Sequence, residues 1–262
     1  MKYASVLLYI FLPFVLFAQT TTIDTVYSTN TKDKYVITIR KPADFSAAKK
    51  YHHVYMTDGG IGIGDYVLGK SKSWAAEIPS NCIVIAIGHI GDYHTKRPRD
   101  FIPADISKNV ETNFGKADLF YMFLKNELIP SMEKKLPARK SRAFIGHSFG
   151  GLFCLYTLFK DDKLFDHHFA ISPSCWANYY ELDKIEEAYF KKNKQLKANV
   201  TIWAGGLEFL NKVLYSSRSF YNTVTGRQYK GLTVKKDEIG NANHLSIRKP
   251  AVDRAFEQLK AL

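Results

Sequence analysis

One segment of the chain carries residues arranged for nucleophilic chemistry: Arg142-Ala143-Phe144-Ile145-Gly146-His147-Ser148-Phe149-Gly150-Gly151-Leu152-Phe153. It reads as an apolar strand, a glycine-bounded tight turn, and a helix that continues through Cys154-Leu155-Tyr156. G-x-S-x-G in that setting strains the turn and projects the Ser148 hydroxyl above the sheet. Gly146 and Gly150 leave room for neighbouring backbone to approach. The N–H of Phe149, at the start of the helix, is expected to point where a tetrahedral oxyanion would form, a charge the helix dipole favours. As a bare pattern the five residues occur by chance; the strand before and the helix after give them meaning.

A serine nucleophile needs a base. The chain order that accompanies such a turn is nucleophile, acid, histidine, with the acid after the seventh strand and the histidine after the eighth. His52, His53, His89, His94 and His147 precede Ser148 and fit that order poorly, while His167 and His168 open a strand and read as packing residues. His244 remains, in the polar loop Gly240-Asn241-Ala242-Asn243-His244-Leu245-Ser246 before the last helix. Glu208 follows the seventh strand in Gly205-Gly206-Leu207-Glu208 and is the candidate acid. Asp237, seven residues before His244, is placed less well, and a Ser–His dyad without a close acid stays open. A second oxyanion donor is expected from the loop at 57–65, with Gly60 or Ile61 as candidates against a plain glycine-rich loop. That loop is no dinucleotide site, because Asp65 stands where G-x-G-x-x-G from Gly60 requires its last glycine.

The elements that must position these residues alternate. Runs rich in β-branched and aromatic residues predict strands at 22–27, 35–39, 51–56, 82–87, 142–146, 168–172, 199–204 and 232–235. Phe120, Phe123, Leu124 and Leu128 recur at helical spacing until Pro130, which is expected to break or kink the run. Val252, Ala255, Phe256 and Leu259 mark a last helix with Pro250 near its first turn. Strands alternating with helices predict an α/β fold, a mostly parallel eight-stranded sheet with helices on both faces. The short Asn30-Thr31-Lys32-Asp33 connection makes the first two strands an antiparallel hairpin.

At 262 residues, 46% of them hydrophobic and 24% charged, the chain suits one α/β domain and excludes disorder or a coiled coil. The formal charge of +12 invites a nucleic-acid reading, but the basic residues are scattered, so no nucleic-acid partner is expected. Lys191-Lys192-Asn193-Lys194 ends a helix and reads as a solvated face. At the N-terminus, Lys2, the apolar stretch from Val6 to Phe17, and Ala18 form a signal-peptide pattern over residues 1–18. The alternative is an uncleaved anchor, which Leu16 at the −3 position keeps open. No Cys follows the apolar run, so lipid attachment is not expected. The expectation is export to a periplasmic or secreted location, without stable membrane insertion, and a single domain over 19–262. Cys82, Cys154 and Cys175 cannot all pair within one chain and read as buried structural thiols. The pairs His52-His53 and His167-His168 lack metal-ligand spacing and no H-E-x-x-H occurs, so neither metal nor cofactor is expected.

Four segments carry a family resemblance: Tyr55-Met56-Thr57-Asp58-Gly59, Arg99-Asp100-Phe101-Ile102-Pro103, the nucleophile segment, and Ser172-Pro173-Ser174-Cys175-Trp176. Together they resemble the esterases related to siderophore (enterobactin) esterases, from about residue 25 to the C-terminus. The nucleophile segment is the strongest part, and Ser-Pro-Ser with Trp two residues later is a second, independent match. The resemblance implies an α/β-hydrolase that cleaves carboxylic esters, in the best-known members those of catecholate siderophores. It carries over Ser148 as nucleophile, His244 as base, and Arg97 or Arg99 as a residue near the substrate. Thr57, where relatives often have an apolar residue, departs from the pattern beside the oxyanion loop. The stretch at 174–197, where larger lids are often inserted, holds little more than one helix and implies an open cleft for a bulky ester. Trp176, Tyr179 and Tyr180 are candidates to line it, against simple packing at a sheet edge. The positive charge would steer an anionic ligand such as a ferric catecholate, and would equally suit acidic polysaccharide. The expected activity is a serine esterase acting on siderophores or other bulky aromatic small-molecule esters. A feruloyl or acetyl esterase of polysaccharide is the alternative, as is a non-catalytic binding protein, which the intact Ser148 and His244 oppose.

Overall fold

The computed structural model describes residues 20–69, 76–104, 115–160 and 162–262; the segment read as a signal peptide lies outside them. Its centre is an eight-stranded sheet of β1 (Thr21–Ser28), β2 (Asp33–Arg40), β3 (Tyr51–Met56), β4 (Cys82–His89), β5 (Arg139–His147), β6 (His167–Ile171), β7 (Gln195–Gly205) and β8 (Lys230–Ile239). The order is β1-β2-β4-β3-β5-β6-β7-β8. β1 and β2 form an antiparallel hairpin, β2 pairs antiparallel to β4, and β4 through β8 are parallel. Each of the eight segments expected to be extended is a strand.

Among the described residues, eight α-helices flank the sheet: α1 (Ile63–Leu68), α2 (Tyr93–Phe101), α3 (Ala117–Phe123), α4 (Ile129–Lys135), α5 (Phe149–Tyr156), α6 (Ala177–Lys192), α7 (Val213–Gly226) and α8 (Arg248–Lys260). Alternation along the strands divides the core in two. Tyr55 and Phe144 face Phe101, Phe120, Phe153 and Phe220 on the α2–α7 side, whereas Met56 and Ile145 face Ile63, Val252 and Phe256 on the α1 and α8 side. With both faces covered, β3 and β4 are buried almost throughout, which is why they read as continuous apolar runs.

Pro130 does not end its helix. Residues 117–135 run on through a single π turn at Leu124–Leu128, with Pro130 in the first turn of α4. Proline lacks the N–H an α-helix needs and crowds the carbonyl four residues back; the wider turn accommodates both. Leu128, Ile129 and Met132 therefore stay in the core.

Candidate active site

The C-terminal ends of β5, β6, β7 and β8 lie side by side, and each leads into a residue of the site. β5 ends at His147 and α5 begins at Phe149, so Ser148 alone makes the turn, at φ 60° and ψ −119°. A non-glycine residue persists in such a conformation only where its surroundings over-determine it. Here Ser148 N–H donates to the Ile171 carbonyl (2.9 Å) and the Ser148 carbonyl accepts from Ser174 N–H (3.1 Å). The glycines are required by close approach: a Cβ on Gly146 would stand 2.0 Å from the Gly150 carbonyl oxygen, and one on Gly150 2.2 Å from Thr57 Oγ1. Phe149, as the first residue of α5, has an N–H with no carbonyl partner inside the helix. The Ser148 hydroxyl lies 3.3 Å from that of buried Ser174. No Ser148–His244 hydrogen bond forms among the described residues; such bonds often tighten only around substrate.

Glu208 follows β7 and is 1% exposed. Its Oε2 accepts from Ser172 Oγ (2.6 Å) and from Gly205 N–H (2.6 Å), and its Oε1 accepts from His244 Nδ1 at 2.5 Å. Burial alone would raise the carboxyl, but its bonds to His244, Ser172 and Gly205 hold it below the ordinary glutamate value. With the Nδ1 proton directed at Glu208, Nε2 of a neutral His244 keeps its lone pair. The loop carrying His244 is shaped by Asn243, whose side-chain oxygen accepts from Leu245 and Ser246 N–H (both 2.9 Å). Asp237, the other candidate acid, lies on β8 with its side chain 57% exposed and pairs with Arg254 of α8.

The loop after β3 is anchored by Asp58, a buried residue at φ 63°. The Ile61 N–H, one of the two expected oxyanion donors, is committed to the Asp58 carbonyl at 3.0 Å within this turn, beside Gly60. The two arginines expected near substrate both have their guanidinium groups bonded to carboxylates of this chain. Arg97, 9% exposed, donates Nε to Asp58 Oδ1 (2.7 Å) and Nη2 to Asp58 Oδ2 (3.1 Å) and to the His147 carbonyl (2.7 Å). Asp58 also accepts from Tyr93 Oη (2.9 Å). Arg99 grips Asp100 through Nε and Nη2 (2.7 and 2.9 Å) and Asp33 through Nη1 (2.9 Å). Asp58 and Asp100 are buried and Asp33 is half-buried, so most of each guanidinium's donor capacity is spent within the chain.

A histidine that chain order set aside comes close to His244. His147 Nε2 lies 2.8 Å from the His244 carbonyl, and the two rings are 4.6 Å apart. Burial, with the nearby His244 and Arg97, pushes His147 down to about 3, so it is neutral. The signal that could have found it is its place in the motif, one residue before Ser148. Cys82, Cys154 and Cys175 are buried free thiols, and His168 is buried in β6.

Phe149, the residue after Ser148, helps line a cleft of about 460 Å³ together with Ile102, Trp176, Tyr179, Tyr180 and Lys212. The Trp176 and Phe149 rings are 6.3 Å apart. Asn178, Tyr179 and Tyr180 all take left-handed backbone angles (φ 50–60°) at the start of α6, and Asn178 Nδ2 donates to the Pro103 carbonyl (3.0 Å). This kink leaves Tyr179 75% and Tyr180 43% exposed at the mouth. Between β6 and β7 the only regular element over the cleft is α6.

Comparison with known proteins gives a consistent picture. The family described as "Putative esterase" matches residues 28–229. Ferri-bacillibactin esterase BesA of Bacillus subtilis (strain 168) is 28% identical over 250 residues, covering 87% of this chain and 86% of that protein. The siderophore enterobactin esterase of Emericella nidulans is 38% identical over 152 residues, 51% of this chain and about half (49%) of its own length. Among solved structures, siderophore hydrolase EstB from Aspergillus nidulans superposes with a TM-score of 0.78 at 19% identity, covering 94% of this chain and 97% of that one. Its likeness places the sheet and helices in the α/β-hydrolase fold. The chain belongs to this esterase family and is a carboxylic ester hydrolase.

Proposed function

We propose that the protein is an exported serine esterase that cleaves the ester linkages of siderophores, with Ser148 as nucleophile, His244 as base and Glu208 as the acid that orients it. The observation that carries this reading is the 2.5 Å Glu208–His244 pair beside a serine held at φ 60° on a strand-to-helix turn. In the reaction, Ser148 Oγ attacks the ester carbonyl as His244 Nε2 takes its proton. The Phe149 N–H and the α5 dipole stabilise the oxyanion, a donor worth about 10²–10³ in rate. The proton then passes to the departing alkoxide oxygen. Water, deprotonated by the same imidazole, releases the acid from Ser148.

The substrate class rests on the relatives named for siderophore esters and on the cleft, whose aromatic rim at Trp176, Tyr179 and Tyr180 and short lid suit a bulky ester. Export rests on the pattern at 1–18, with residues 19–262 as one hydrolase domain. No helix among the described residues is long and apolar enough to cross a membrane. The test is a panel of ferric and metal-free catecholate lactones, a hydroxamate siderophore ester, feruloyl sugars and a short acetate ester, followed by chromatography. The lactones should give the highest kcat/KM. Faster turnover of the sugar esters would assign the enzyme to polysaccharide instead.

A further inference from the structure

We infer that His147 is a positioning residue, holding the loop of the base against the nucleophile turn through its hydrogen bond to the His244 backbone carbonyl. The inference rests on the roles proposed above for Ser148 and His244. It begins with strand alternation: on β5, Ala143 and Ile145 face α8, and residue 147 shares that direction. The loop ahead of α8 is the one that carries His244, so a side chain at 147 meets it directly. A carbonyl can only accept, so the 2.8 Å contact fixes the proton on His147 Nε2.

His147 is itself held from behind. Its own carbonyl accepts from Arg97 Nη2, and Arg97 is gripped by Asp58 in the loop after β3. Three segments remote in sequence, at 58, 97 and 147, thus form one connected support that ends on residue 244. The charged and titratable groups that act on His147 are His244, Arg97 and Asp58; Glu208 bonds His244 from the loop after β7, and Tyr93 bonds Asp58. Arg248 of α8 braces the same loop, bonded through Nε to the Leu245 carbonyl (2.9 Å). Among these, only His147 touches the backbone of residue 244 from the nucleophile's side. Neutrality is part of the role. A cation 4.6 Å from the His244 ring would oppose the imidazolium that forms when Ser148 gives up its proton.

The test compares His147→Gln, whose side-chain amide can still donate to the carbonyl, with His147→Met, which fills the space without a donor. On a p-nitrophenyl acetate assay, His147→Met should lose about 10- to 100-fold in kcat with little change in KM, the scale of a misplaced catalytic group. His147→Gln should recover most of it, and the rate of fluorophosphonate labelling of Ser148 should follow kcat in both. Equal rates in the two variants, whether both high or both low, would overturn the inference. A measurement on the unaltered enzyme stands apart from how the variants fold. The His147 imidazole, assigned in a nitrogen-15 spectrum by its disappearance in His147→Gln, should stay in the neutral Nε2–H form from pH 8 to about 4.5. Titration of that ring within the range would also overturn it. If Ser148→Ala keeps wild-type turnover, it is the proposed nucleophile that fails, a result distinguishable from either outcome here.

Discussion

Replacing Glu208 by glutamine should cost far more than the loss of one charge, because of where its two oxygens point. Oε2 accepts from two donors, Ser172 Oγ and Gly205 N–H, whereas Oε1 accepts from His244 Nδ1 alone. A glutamine has one oxygen, and the pair of donors claims it. The amide NH2 is then aimed at Nδ1, which can meet it only as an acceptor. That moves the imidazole proton to Nε2, the atom that must receive the proton of Ser148. A triad with the wrong tautomer loses about 10⁴ in kcat, roughly 5 kcal/mol of barrier. The side chain keeps its volume, so the protein should fold normally. The assay is kcat on an activated ester, with thermal unfolding as control. A Glu208→Gln enzyme within tenfold of wild type would show that Glu208 does not set the tautomer.

Other expectations follow from the buried charges and the cleft. Arg97→Met leaves Asp58 buried without its cation and should cost about 3–5 kcal/mol in denaturant unfolding while lowering all esters alike; undiminished stability with a selective loss on anionic esters would return Arg97 to the substrate. His147 and His168 are buried and pushed down to about 3, so between about pH 6.5 and 3 the unfolded chain binds protons that the native one does not. Stability should therefore fall as the pH drops through that window. Asp58, Asp100 and Glu208, all held below ordinary values despite burial, add to the loss once pH is near 4 and below. A Tm that stays flat from pH 7 to 4 would contradict this. Trp176→Ala removes a wall of the cleft facing Phe149 and should lower kcat/KM for a catechol-bearing ester about tenfold, the scale of a lost aromatic contact with its burial, and leave a short acetate nearly unchanged. An equal effect on both substrates would make Trp176 a packing residue.

What the sequence reveals of this molecule follows the range of the interactions involved. Buried parallel strands are local features, short β-branched and aromatic runs between turn residues, and all eight can be read. The meeting of Glu208 and His244 is also legible, since their loops leave the C-terminal ends of β7 and β8, which are adjacent and parallel. The carboxylate contacts of Arg97 and Arg99 are not. Their carboxylate partners Asp58 and Asp33 lie 39 and 66 residues away, and nothing local to an arginine records that its guanidinium will be buried. Asp100, adjacent to Arg99, becomes a partner only once α2 folds against β2 and β4. The same limit hides His147, whose contact spans 97 residues, and the π turn that carries the helix past Pro130. The left-handed run at 178–180 runs against the preferences of two tyrosines, and asparagine, which does take such angles, does so as a single residue rather than as part of a run.

Mass spectrometry after treatment with a fluorophosphonate tests most directly whether Ser148 is the nucleophile of this hydrolase. A single adduct is expected, located on the peptide containing Ser148, formed in step with loss of ester hydrolysis and absent from an inactive but folded Ser148→Ala variant. An adduct on another residue, or turnover retained by Ser148→Ala, would contradict it.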